Sequence, residues 1–442
     1  MTAQIRWFWA RLNANYWFYP ALFSIIGAAL ALALIYLDRN GFAAWVNDLS
    51  WITPARPDGA SNMLTVIAGS MIAVASTVFS ITIVAVSYAS GTYGPRLLTN
   101  FMEDKGNQLS LATFIGTFVY SITVLRTIRG EDESAASAAD AASTALPGFV
   151  PQLSLLVAYA LMALSIAVLV YFLNHVPSGI RINNVLKGIG QRLIEGIEET
   201  YPDPGGEDDG QDRPQGKAIL AHRPGYVQLI EFTELAAIGA KEDCDIILRV
   251  RTGDFVHPGM ALLQVSGCDD TDAIRQALLD NFTLGASRTP EQDPQFLIDE
   301  LVEIGLRALS PGINDPFTAI TALHWLGAAT SELGCRRLTK LICPDDDGSC
   351  RVHPLPDDFA HYVARGFGAI RSAVATNPIA AKVMLDTLRN AAAPIRDLKR
   401  IAILHREGVL LRDQARLSLG GPDLAEVEER FTSFNRAVSS SP

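Results

Sequence analysis

The stretch LSLLVAYALMALSIAVLVYFL, residues 153–173, contains no Asp, Glu, Lys or Arg. A helix needs about 20 apolar residues to cross the hydrocarbon layer of a bilayer. Inside lipid every backbone N–H and C=O has to be satisfied within the segment, so the run reads as a membrane-spanning helix. It lies in an interval of 40 residues, between Asp140 and Arg181, that lacks those four residue types. Three earlier intervals repeat the pattern: 26 residues between Arg11 and Asp38, 37 between Asp58 and Arg96, and 20 between Lys105 and Arg126. One such run could be a buried core helix of a soluble protein. Four in succession set that reading aside. The expected spans are 17–37, 63–88, 108–125 and 153–173, within a membrane domain over 1–179.

Composition agrees. Of 442 residues, 49% are hydrophobic and only 19% charged. Soluble domains are nearer a quarter charged, so a wholly soluble, disordered or coiled-coil chain is excluded. Residues 1–179 hold 8 Lys and Arg against 9 Asp and Glu, so nearly all of the net charge of −11 falls on the second half. Neither half is basic, which argues against a nucleic-acid partner. Trp7, Trp9, Trp17, Trp45 and Trp51 flank the first span, where the headgroup zone favours amphipathic rings. Gln4–Tyr19 reads as an interfacial segment leading into a retained anchor rather than a cleaved signal peptide. Arg6, Arg11, Arg96, Lys105, Arg181, Lys187 and Arg192 fall on one side of the spans. Arg39, Arg56, Arg126 and Arg129 fall on the other, so both termini are expected in the cytoplasm. Gly130–Gln152 is then an external loop.

The second span carries an unusual stripe. Gly69, Ala73, Ser76, Ser80 and Ser87 fall close to one helical face. Small hydroxyl residues let helices approach closely and bond across the contact. Alternatively, the face lines a water-filled path, with Ser70, Thr77, Ser80 and Ser87 as pore-lining candidates. Thr113, Gly116, Thr117, Tyr120 and Ser121 of the third span carry the same two readings. No span has a charge at its centre, which disfavours an ion-coupled pump.

The remainder is expected to be a cytosolic α+β part. An amphipathic helix over Arg181–Thr200 leads into an acidic, Gly- and Pro-rich linker, together 180–217. A small β-rich module follows over 218–267. Its strands are read at Gly225–Ile230, Asp245–Arg251 and Ala261–Val265, with turns at Gly253-Asp254 and Pro258-Gly259. A helical domain is expected over 268–442. Thr289, Pro290 and Gln292 read as a capped start for a helix over Phe296–Leu309, and Asp315 with Pro316 as the next start.

Arg288, Asp293, Glu303, Arg307 and Asp315 are candidates for a polar pocket that takes an anion or a metal. Helix capping and an i,i+4 ion pair explain the same residues without any ligand. Cys335, Cys343, Cys350 and His353 lack the paired spacing of a zinc clip, so no metal site is expected. The five cysteines read as free thiols. No phosphate loop, G-x-S-x-G or H-E-x-x-H is present, so no catalytic residue and no cofactor is expected.

The chain resembles a bacterial family of predicted membrane proteins, domain of unknown function 2254. The likeness is carried by Tyr16-Trp17-Phe18-Tyr19-Pro20-Ala21-Leu22, by Gly69-Ser70-Met71 with Val78-Phe79-Ser80-Ile81, by Tyr93-Gly94-Pro95-Arg96-Leu97-Leu98 and by Gly106-Asn107-Gln108. It continues through Gly253-Asp254-Phe255, Arg288-Thr289-Pro290-Glu291-Gln292-Asp293 and the run Ala308–Ala319. The resemblance implies a multi-span protein of the bacterial cell membrane and brings no activity. The expectation is a homo-oligomer in the inner-membrane bilayer that forms a passive pore or transport-like path gated by its cytosolic part. The alternatives are a membrane-tethered ligand sensor or enzyme, and a scaffold.

Overall fold

The computed structural model describes residues 15–42, 55–94, 104–129, 149–205, 215–268, 270–340, 342 and 350–439. Trp7, Trp9, Trp45, Trp51, Cys343, most of the 130–152 loop, Pro95–Leu98 and the acidic part of the linker lie outside them. The chain divides into two compact units, Met1–Arg181 and Ile182–Pro442.

The first unit holds four helices: α1 (Phe18–Arg39), α2 (Pro57–Tyr93), α3 (Lys105–Leu125) and α4 (Gln152–Gly179). All four are long and apolar enough to cross a membrane. Two run well beyond the expected spans. α2 starts at Pro57, a favoured first helical residue, with Asp58 in its first turn. α4 continues through Asn174, His175 and Pro177 to Gly179. α3 is the central helix, packing against the other three. It meets α1 at two glycines: a Cβ on Gly27 would stand 2.6 Å from the Gly116 carbonyl oxygen. The helix-packing reading of the third span therefore holds. Gly116 sits against Phe23, the hydroxyls of Thr117 and Ser165 are 3.1 Å apart, and the buried Tyr120 hydroxyl donates to the Ser154 carbonyl at 2.8 Å.

The helices alternate in direction, as their end contacts show. At one end, Asp38 in the last turn of α1 accepts from the Leu153 and Ser154 amides at the start of α4. Gln152 exchanges two hydrogen bonds with the Ala55 backbone before α2. At the other end, Lys105 lies over the Tyr19 ring of α1, and Asp104 contacts His175 near the end of α4. The start of α1 and the end of α4 thus share one end.

The second unit opens with α5 (Ile182–Thr200), an amphipathic helix with Leu186, Ile189, Leu193 and Ile197 buried. A β module follows, with β1 (Lys217–Leu220), β2 (Gly225–Ile230), α6 (Phe232–Lys241), β3 (Asp245–Leu248), β4 (Phe255–Val256), β5 (Ala261–Ser266), α7 (Thr271–Leu279) and β6 (Phe282–Gly285). One sheet has the order β1-β5-β3-β7, the other β4-β2-β6. β7 (Val352–His353) joins from far along the chain, parallel to β3. The two sheets share a core that includes Val227, Ile246, Leu263 and Leu284. Two strands therefore come from beyond residue 267, and β3 is shorter than read. It stops at Leu248 because Arg251 turns its amide to the Asp254 carboxylate.

The helical remainder is α8 (Pro294–Ala308), α9 (Pro316–Gly334), α10 (Phe359–Val363), a π-helical turn (Ala364–Gly368), α11 (Ala369–Val374), α12 (Pro378–Ala392), α13 (Leu398–Ser418) and α14 (Gly421–Ser439). The expected start of α8 is corrected. Asp293, not Thr289, is the N-cap, accepting from the Phe296 amide at 3.2 Å, with Pro294 as the first helical residue. Asp315 caps α9 in the same way through Thr318.

Candidate functional site

The hydroxyl stripe of α2 lies on the outside of the first unit. Its buried residues Leu64, Ile67, Ala68, Met71, Ala75 and Val78 face inward. Gly69, Ser70, Ala73, Ser76, Thr77, Ser80 and Ser87 are all exposed. Among the described residues a Cβ on Gly69 would meet nothing within 4 Å, so no close approach there explains that glycine. The hydroxyls of Ser76, Thr77 and Ser80 donate to the carbonyls four residues back, at 2.9–3.0 Å. That local bond relieves the cost of an apolar setting while leaving oxygen lone pairs outward. The pore-lining candidates Ser70, Thr77, Ser80 and Ser87 thus share one outward face.

A second polar group sits where α2 and α4 end and α3 begins. Asp104 caps α3, accepting from Gly106 N at 2.7 Å and Asn107 N at 3.4 Å. His175 Nε2 lies 2.9 and 3.0 Å from the two Asp104 oxygens. With that nitrogen donating, Nδ1 accepts from the Tyr171 hydroxyl at 3.1 Å. Gly106 is required here, because a Cβ would stand 2.5 Å from His175 Nε2 and 2.7 Å from the Tyr171 oxygen. Thr82, Asp104 and Asn107 border a small cleft. Sequence reasoning did not single out Asp104 or His175. The signal that could have found them is Asn107-Gln108, two amides opening an apolar run.

In the second unit the polar candidates divide. Arg288 contacts Asp293 through Nε, at 3.0 Å, and NH2, and reaches Asp299 through NH1. Arg365, from the π turn, grips Asp299 with two bonds of 2.6 and 2.7 Å. Burial pushes the Asp293 carboxyl above the ordinary carboxylate range despite Arg288. Burial also works against the Asp299 charge, but Arg365 and Arg288 outweigh it and hold that carboxyl low. The network docks on the β module at Gly253. Its φ of +90° suits glycine, and a Cβ would stand 2.2 Å from Asp293 Oδ2. Glu303 and Arg307 lie one and two turns further along α8 from Asp299, and Asp315 opens the next helix. Of the five candidates, Arg288 and Asp293 are in contact, and Asp299 and Arg365, which were not among them, are their partners.

Nearby, Arg251 and Lys340 contact the buried Asp357, which also accepts from Tyr201 at 2.6 Å. His353 contacts Asp245 at 3.1 Å, and Cys350 is disulfide-bonded, which corrects the reading of five free thiols. Cys244, Cys268 and Cys335 are free.

Four lipid-length helices ahead of a mixed helical unit with a small sheet define an integral membrane protein with a large second unit. The chain belongs to the family described as "Predicted membrane protein (DUF2254)", whose model matches residues 13–390. An uncharacterized protein of Mycobacterium bovis is 30% identical over 372 residues, spanning 80% of this chain and 68% of its own length. An uncharacterized protein of Mycobacterium tuberculosis matches to the same extent. No solved structure matches.

Proposed function

We propose that the protein is a homo-oligomer of the bacterial inner membrane with both termini cytoplasmic, forming a passive pore or transport-like path between protomers. The observation that carries this reading is the outward hydroxyl stripe of α2. Lipid tails gain nothing from a face of Gly69, Ser70, Thr77, Ser80 and Ser87. A neighbouring protomer gains close approach, and water gains oxygens to bond. The count of basic residues along the sequence, seven on the side of Arg6 and Arg181 against four on the side of Arg39 and Arg129, supplies the orientation. In this reading the second unit is the cytosolic gate. The alternative of a ligand-sensing or catalytic second unit is weaker, because Arg288, Asp293, Asp299 and Arg365 already neutralise one another.

The test is ion flux into liposomes reconstituted with the purified full chain. Flux that falls when Ser80 is replaced by Leu supports the path. Tight vesicles under every voltage and salt gradient refute it.

A further inference from the structure

The cleft at the start of α3 offers oxygens and one negative charge. Thr82 and Asn107 are each 4% exposed. The Thr82 hydroxyl donates to the Val78 carbonyl at 2.9 Å, which leaves its oxygen able to accept, and the Tyr16 hydroxyl lies close to it. The Asn107 side-chain oxygen is buried and, among the described residues, accepts no hydrogen bond. A buried acceptor without a partner is costly, and a bound group would recover that cost. Asp104 adds a carboxylate, turned toward α3 by its amides and held by His175. The positive end of the α3 dipole is met by this carboxylate. Val176 and Gly179, from the last turn of α4, also border the cleft and bring the negative end of a second helix.

We propose that Asp104, Asn107 and Thr82 bind a small monovalent cation. Hard cations take carboxylate, amide and hydroxyl oxygens. A single carboxylate suits one positive charge better than two. The cleft has room for about one water-sized particle, enough for an alkali ion. The site is asymmetric in the membrane, lying at the end shared by the start of α1 and the end of α4. It does not depend on the path between protomers.

The test is thermal melting of the full chain in detergent, with lithium, sodium or potassium chloride titrated against choline chloride at constant ionic strength. The expected result is a saturable rise of about 5 °C for at least one alkali ion, at a hundred times its Kd. Asn107→Leu should abolish that rise. Asp104→Asn keeps a capping oxygen, since Asn caps as well as Asp, but should lose the rise with the charge. Identical melting of the native chain in all four salts overturns the proposal. So does a rise that persists undiminished in both variants. A melting shift without liposome flux leaves this site standing and defeats only the pore.

Discussion

Asp38 and Ser154 are joined across 116 residues of chain. The carboxylate accepts from both the amide and the hydroxyl of Ser154, at 3.0 and 2.7 Å. The last turn of one span thereby caps the first turn of another. Asp38→Ala should cost about 1–2 kcal/mol, the usual loss for an N-cap. Asp38→Asn should cost less, because the amide oxygen still accepts. Melting in detergent reads both variants, and an Ala variant as stable as the native chain would show the cap to be idle.

Gly27 and Gly116 set the spacing of α1 and α3. Gly27→Val puts branched carbon where the Gly116 carbonyl stands and should cost roughly 1–3 kcal/mol. Gly69→Ala on the open face of α2 is the control and should leave monomer stability within about 0.5 kcal/mol. Chemical unfolding in micelles compares them. Equal losses would mean that the α1–α3 crossing is looser than described.

The spans were legible because lipid forbids charge, and a run without charge can be counted in the sequence. Their ends were less so. Asn174, His175 and Pro177 look like a stop signal, yet α4 runs on to Gly179. The side chain of His175 is used by Asp104, 71 residues away, and no local pattern announces that. The start of α8 failed for a different reason. Thr289-Pro290 and Asp293-Pro294 both satisfy the local rule for a capped start, and the choice between them rests on Arg288 and Gly253, a contact between distant segments. β6 and β7 have four and two residues, too few to show a period of two. The candidate pocket was legible as polar density, but Arg365 enters it from the π turn, 66 residues beyond Asp299.

Acid should weaken the second unit through Asp299. Its carboxyl titrates below the ordinary range in the folded chain, so its contribution is present above the unfolded pKa and lost as pH falls through the folded value. Asp293 is shifted the other way, so its ionisation opposes folding as pH rises. Asp299→Asn should flatten the acid limb of a stability-against-pH curve. A variant curve parallel to the native one below pH 4 or so would remove Asp299 from this role.

Gly253 needs both its left-handed φ and its missing side chain. Gly253→Ala should cost at least 1–2 kcal/mol or so, since it adds backbone strain to a collision with Asp293. Asp293→Ala in the same background separates the two effects. If the double variant is no more stable than the sum of single losses implies, the collision is not felt.

Cysteine replacements can locate the faces of α2. Ser80→Cys should cross-link two copies in native membranes, whereas Met71→Cys, which faces inward, should not. Dimers on a non-reducing gel from the second variant alone would reverse the assignment of the outward face.

Trp325 is the sole tryptophan beyond residue 51, and its ring fills the space a Cβ on Gly190 would need. Replacing the five early tryptophans with Phe would leave Trp325 the chain's single tryptophan, seated against α5. Its emission colour would then report any lifting of that helix as it happens, with no dye attached.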